Sequence, residues 1–428
     1  MALRDPERGS GSAGPSESTR SGASHGAKPR DRAGSGRGVT FPTGFSAGAV
    51  GVGVKDERNR RLDVALVVSD RPCAAAALFT SNQVIAAPCV VTKRHVADGS
   101  LRAVVVNSGN ANACTGEQGE RDAVAMAEAA ARLIGARAQD VAVASTGVIG
   151  VPLPTERVVV GIARIRAASD GWDDFAKAIM TTDTKQKVTE REVWLRGKPV
   201  RIGGAAKGAG MIHPDMATLL AFVTTDAQLD AASAGRALRA AADASFNAIS
   251  VDGDTSTNDT LLLLANGASG VEIADEAWDP FVEALTEVCR ELARAVVADG
   301  EGATKVYEVR VRGAASHDDA RKAGRTITNS NLVRTAIHGA DPNWGRILMA
   351  AGRSGARIDQ RRASVRIGDV DVFSRGRPCE WDAAAVRAIF ERPEIVIDVD
   401  LGVGGATFTA WGCDLSKEYV RINAEYTT

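Results

Sequence analysis

Lys207-Gly-Ala-Gly-Met-Ile-His-Pro-Asp-Met-Ala-Thr218-Leu-Leu-Ala-Phe222 is a glycine-rich turn that runs through Pro214-Asp215 into an apolar strand. The Ala217–Thr218 peptide sits at the junction. A threonine hydroxyl with no base beside it is a poor nucleophile. If the bond before Thr218 is cut, the freed α-amine lies on the same residue, with an ordinary pKa of about 8. It can then act as the base for its own hydroxyl. On the dipeptide alone, a β-branched strand residue also accounts for Thr218, and neither composition nor spacing raises it further.

Working outward, apolar strands alternate with helical stretches. Strands are expected over 101–107, 141–144 and 216–223, and later over 305–311, 363–372, 395–399 and 406–411. Helical spacing covers 117–134, stopping at Gly135, then 158–168, 172–180, 231–242 and 278–297. Between the first strand and helix lies a polar turn, 108–116. This mixture predicts α/β or α+β layers, not an all-α or all-β fold. Residues 1–38 are rich in Gly, Ser and Arg and almost lack large apolar side chains, so they cannot offset their ordering entropy. They have no apolar segment of a secretory signal, and Asp5, Glu7, Glu17 and Asp31 interrupt the pattern of a transit peptide. They are expected to form a disordered tail.

The chain of 428 residues, 44% hydrophobic, can bury a sizeable core, and its net charge of −1 gives no field favouring nucleic acid or an acidic membrane. No stretch is both apolar and charge-free over membrane-spanning length. The six cysteines are scattered with no C-x-x-C pair, which excludes a disulfide framework or a zinc site and predicts free thiols in a reducing cytoplasm. Gly203–Gly210 lacks the G-K-[ST] of a phosphate loop, and Gly402–Gly405 reads as a turn. His213 and His338 are far apart, and Asp252, Asp254 and Asp259 do not follow an EF-hand pattern, so no metal is expected.

The segment 207–222 resembles the processing segment of the ornithine acetyltransferase family, ArgJ. The resemblance extends to Asn107-Ser-Gly-Asn-Ala-Asn-Ala113, Ser145-Thr-Gly-Val-Ile-Gly150, Ile179-Met-Thr-Thr-Asp-Thr184, Phe246-Asn-Ala-Ile-Ser-Val-Asp-Gly-Asp-Thr-Ser-Thr-Asn-Asp259, Asp299-Gly-Glu-Gly-Ala-Thr-Lys305, Asp341-Pro-Asn-Trp-Gly-Arg346 and the terminal Tyr419-Val-Arg-Ile-Asn-Ala-Glu-Tyr-Thr-Thr428. These occur in family order and cover essentially everything after residue 38. Two positions depart from the usual pattern: Gln186 stands where Pro is common, and Arg334 where Lys is common.

The resemblance implies an ArgJ/DmpA-like sandwich of sheets and helices of the self-cleaving, N-terminal-nucleophile type. An alpha chain would span 39–217 and a beta chain 218–428. It assigns Thr218 as nucleophile after cleavage at Ala217, Thr146 and Gly147 as the oxyanion hole, and Thr181, Lys207, Thr218, Glu301, Asn423 and Thr428 as substrate contacts. Thr182 is the fallback should the register slip by one. The activity implied is transfer of acetyl from N2-acetyl-L-ornithine to L-glutamate through acetyl-Thr218. No cofactor is implied, and acetyl-CoA is a co-substrate in the members that are bifunctional. The implied assembly is a cytoplasmic α2β2 heterotetramer. The rival reading is a self-cleaving amidase or aminopeptidase of the same fold.

Overall fold

The computed structural model describes residues 36–213 and 219–425, within one unit that begins at Gly36. Leu220–Thr225 shows how the sequence builds it. The run is apolar throughout, as a strand covered on both faces must be. Side chains alternate across a strand, so Leu220 and Phe222 pack with Phe175, Ile179 and Leu262, while Ala221 and Val223 join Val288, Leu292 and Val296 on the opposite face. Phe175 meets Phe222 edge-on, with ring centroids 5.5 Å apart. Burying each such ring contributes roughly 1.5–3 kcal/mol.

This strand lies inside an eight-stranded mixed sheet. The order is Val141–Val148, Ser100–Asn110, Val64–Phe79, Thr260–Ala265, Leu220–Thr225, Lys198–Lys207, Lys187–Leu195, with Phe45–Val50 pairing on Val64–Phe79. Leu220–Thr225 runs antiparallel to Lys198–Lys207, with Leu220 opposite Lys207, and parallel to Thr260–Ala265. A second sheet of seven strands is ordered Arg377–Pro378, Val370–Ser374, Ser364–Ile367, Glu394–Asp400, Val306–Ala314, Ala406–Cys413, Ile249–Ser250.

Helices fill the space between and around the sheets. Trp278–Ala298 buries Phe281, Leu285, Val288, Leu292 and Val296, a helical stripe that packs on the Lys187–Lys207 hairpin and on Ala406–Cys413. Ala231–Asp243 lies beside it, started by Asp230, whose side chain accepts the Ser233 N–H at 2.6 Å. Gly116–Ile134 covers the far side of the first sheet and ends at Gly135 in the left-handed conformation, φ 65°. The expected α/β layers are present. All six cysteines are free thiols. Among the described residues no helix is long and apolar enough to cross a membrane.

Several boundaries differ from the sequence reading. The helix expected over 158–168 is Thr155–Ile162, and the one expected over 172–180 ends at Ala178. The stretch 363–372 is two strands, because Gly368 turns the chain at φ 57°. The supposed turn at 108–116 begins later, since the strand runs on to Asn110. Gly38, the last residue of the expected tail, opens the buried 3-10 turn Gly38–Thr40, and residues 1–35 lie outside the described residues. Of the strand expected over 216–223, residues 216–218 lie outside the described residues, and the remainder begins at Leu220.

Candidate active site

Thr146 and Gly147 stand near the end of Val141–Val148, where the neighbouring strand shifts register at Gly109–Asn110. Gly147 has φ 135°, and a Cβ there would lie 2.3 Å from the Gly109 carbonyl carbon and 2.4 Å from the Asn110 nitrogen. Only glycine fits. Buried amides hold this strand end. Ser145 Oγ donates to Asn107 Oδ1 at 2.6 Å, and Asn258 Nδ2 donates to the Ala111 carbonyl at 2.6 Å and the Ser145 carbonyl at 2.9 Å.

Lys207 ends the strand Lys198–Lys207. It is 8% exposed, and its ammonium donates to Thr146 Oγ1 at 3.1 Å. Burial pulls its pKa below the usual lysine range, against Asp183, Asp259 and Glu301, which favour the charged form. Two of the candidate residues are thereby joined side chain to side chain across 61 positions of sequence.

Thr181 follows the helix Trp172–Ala178, and its N–H donates to Asp183 Oδ2 at 2.9 Å. Burial opposes ionisation of Asp183, but Lys207 and Lys187 outweigh it and hold the carboxyl down at about 2. Glu301 follows the helix Trp278–Ala298. Its N–H donates to the Ala209 carbonyl at 2.8 Å, and its Oε2 accepts from Asn423 Nδ2 at 2.8 Å. Asn423 lies on the helix Lys417–Glu425.

One cavity of about 170 Å³ gathers them. Thr146, Gly147, Thr181, Lys207, Glu301 and Asn423 all line it, and Thr182 does too. This volume suits an amino-acid-sized ligand, below the roughly 300 Å³ where drug-sized sites begin. Leu219 also lines the cavity. Ala217, Thr218 and Thr428 lie outside the described residues. The segments flanking 214–218 are fixed: Asp252 accepts the N–H groups of Met211 at 2.6 Å and Ile212 at 2.8 Å, and the Leu219 carbonyl accepts the Thr260 N–H at 2.9 Å.

Sequence reasoning missed some of the lining. Asp259 is 1% exposed, and among the described residues its Oδ2 has no hydrogen-bond partner. Burial pushes its carboxyl well above the usual range, against the Ser256 hydroxyl, Lys207, Thr80 and the Leu219 N–H. It had been weighed only as part of a metal loop with Asp252 and Asp254. Arg61, on the cavity wall, donates to the Met180 carbonyl beside Thr181. Nothing in the local sequence marks it, because its partner is far along the chain.

The ArgJ family pattern matches residues 46–428. The chain belongs to the ArgJ family. The arginine biosynthesis bifunctional protein ArgJ of Symbiobacterium thermophilum is 51% identical over 396 residues, covering 91% of this chain and 98% of that protein. The protein of the same description from Deinococcus radiodurans is 49% identical over 393 residues, covering 91% and 98%. Among solved structures, an ornithine acetyltransferase from Mycobacterium tuberculosis complexed with ornithine is 42% identical. It covers 42% of this chain and 95% of its own, with a TM-score of 0.37. The cavity is thus the candidate active site of an ArgJ family member.

Proposed function

We propose that this ArgJ family member is an acetyltransferase of arginine biosynthesis that moves acetyl from N2-acetyl-L-ornithine to L-glutamate. The observation that carries the reading is the convergence of Thr146, Gly147, Thr181, Lys207, Glu301 and Asn423 on one cavity beside Leu219. Family membership and relatives named as arginine biosynthesis bifunctional proteins support it.

In this reading the chain cuts itself between Ala217 and Thr218. The Thr218 hydroxyl attacks the Ala217 carbonyl, the C–N bond breaks, and water releases the ester, leaving a free α-amine. In turnover the same hydroxyl attacks the acetyl carbonyl. Thr146 and the Gly147 N–H stabilise the oxyanion, the α-amine passes the proton to the departing ornithine, and acetyl-Thr218 remains. Glutamate then takes the acetyl group, regenerating the hydroxyl. A buried Lys207 ammonium suits a substrate carboxylate, and Glu301 suits a substrate ammonium. Thr181 and Thr428 complete the contacts. Acetyl-CoA serves as a second acetyl donor, without a bound cofactor, and the two chains remain together as an α2β2 heterotetramer in the cytoplasm.

The test is the intact mass of the purified protein together with an acetyl-transfer assay. Two fragments, one beginning Thr218-Leu-Leu-Ala, and glutamate-dependent release of ornithine are expected. A folded chain that stays whole at neutral pH removes the amine base. Hydrolysis faster than transfer to glutamate replaces the reading with an amidase.

A further inference from the structure

Lys187 carries a charge in a dry place. Its side chain is 1% exposed, and its ammonium lies 2.7 Å from Asp183 Oδ1 and 2.6 Å from Asp299 Oδ2, which are themselves 0% and 5% exposed. None of the three lines the cavity, yet each is tied to a segment that does. Asp183 Oδ1 accepts the N–H of Gly208, next to Lys207, at 2.7 Å, and its Oδ2 accepts the N–H of Thr181 at 2.9 Å. Asp299 accepts from the hydroxyl and N–H of Thr184, and lies two residues before Glu301.

Charge makes the arrangement more than a brace. Two carboxylates around one ammonium leave an uncompensated negative charge, which is costly away from water unless another cation stands near. Lys207 is that cation. The titratable groups facing it are Asp183, Lys187, Asp259 and Glu301, with the Thr146 hydroxyl as hydrogen-bond partner, and Lys55 and Arg61 line the same cavity. Of the anions, Asp183 opposes the effect of burial most strongly.

We propose that Asp183, braced by Lys187 and Asp299, is a positioning residue that keeps the Lys207 ammonium charged and set toward the cavity for a substrate carboxylate. This rests on the acetyltransferase reading, in which both substrates are amino acids.

The experiment measures L-glutamate affinity by calorimetry between pH 6 and 9 for the wild type, Asp183→Asn and Lys187→Gln, with folding checked by circular dichroism. Removing the anion makes Lys207 easier to deprotonate. In Asp183→Asn the pH at which affinity falls therefore moves down by roughly one to three units, the effect of a neighbouring opposite charge. Removing the like charge in Lys187→Gln moves it up. A purely structural role weakens binding in both variants without opposite shifts. An Asp183→Asn profile that breaks at the wild-type pH overturns the proposal. If that variant does not fold, the Lys187→Gln profile decides: a rise supports it and an unmoved break overturns it. Wild-type transfer with unmoved profiles sinks only this inference, whereas a wild type that neither binds glutamate nor transfers acetyl to it sinks the reading beneath it.

Discussion

Asn423 donates its side-chain amide to Glu301 at 2.8 Å, across 122 positions of sequence. This bond fastens the last helix to the cavity wall, helped by Ser416 Oγ on the Gly302 carbonyl at 2.6 Å. A hydrogen bond to a charged group is worth about 1.5–3 kcal/mol. Asn423→Ala should therefore raise KM for the amino-acid substrate by roughly tenfold or more while kcat changes little. Steady-state kinetics check this. Asn423→Asp, which sets two carboxylates together, should be worse than Asn423→Ala.

Gly210 leaves the space that Glu301 occupies. A Cβ on Gly210 would lie 2.6 Å from both Cδ and Oε2 of Glu301. Gly210→Ala should push the carboxylate aside and reproduce the KM defect of Asn423→Ala, with melting temperature almost unchanged. Combining the two substitutions should add little, since both disturb one carboxylate. A fully additive loss in the double variant would show that they act on different groups.

Thr146→Val keeps the shape of the strand end and removes its hydroxyl. If Thr146 acts in the proposed oxyanion role, losing that donor costs about a hundred- to a thousandfold in kcat, and Lys207 loses a hydrogen-bond partner as well. Thr146→Ser should recover most of the rate. Gly147→Ala should do more harm, because its Cβ meets backbone at 2.3 Å and φ is 135°. A lower melting temperature accompanying the loss of rate would distinguish this backbone effect from the chemical one at Thr146.

Asp259 gives a pH-dependent prediction. Its folded-state pKa is raised by burial. Below the unfolded value of about 3.9 the carboxyl is protonated in both states, and its contribution to stability is fully present. As pH rises, the unfolded chain gives up that proton first, and stability declines until the folded carboxyl ionises too. Asp259→Asn, neutral throughout, should melt near the wild type at pH 3 and progressively above it toward pH 7. Melting curves over that range check the sign, and a gap that narrows with rising pH would refute it.

Parts of the fold were legible because local rules decide them. Gly116–Ile134 and Trp278–Ala298 carry apolar stripes at helical spacing, and both helices lie within a residue of the expected bounds. The hairpin Lys187–Leu195 with Lys198–Lys207 was missed, although it has a two-residue turn signal. Arg196 at φ 48° and Gly197 at φ 75° form the tight connection that such strands favour. Its alternating charged residues disguised a strand that is half exposed. The Thr146, Lys207, Glu301 and Asn423 positions were found only through resemblance, since no spacing rule brings together residues so far apart. Lys187 lay within sight of a quoted motif, but its partner Asp299 is 112 positions away, and only the folded chain pairs them.

The order of the large sheet carries one last consequence. Leu220–Thr225 and Thr260–Ala265 come from the C-terminal half, and they are flanked by Lys198–Lys207 and Val64–Phe79 from the N-terminal half. A break between residues 217 and 218 would change the number of polypeptides without creating two separable bodies, because each piece would still complete the other's hydrogen-bonding ladder on both sides. Dilution alone could not part them. Each half produced by itself would carry bare ladder edges, the surfaces that drive aggregation, so under such a cleavage the uncut chain would be the template on which both pieces are folded into register.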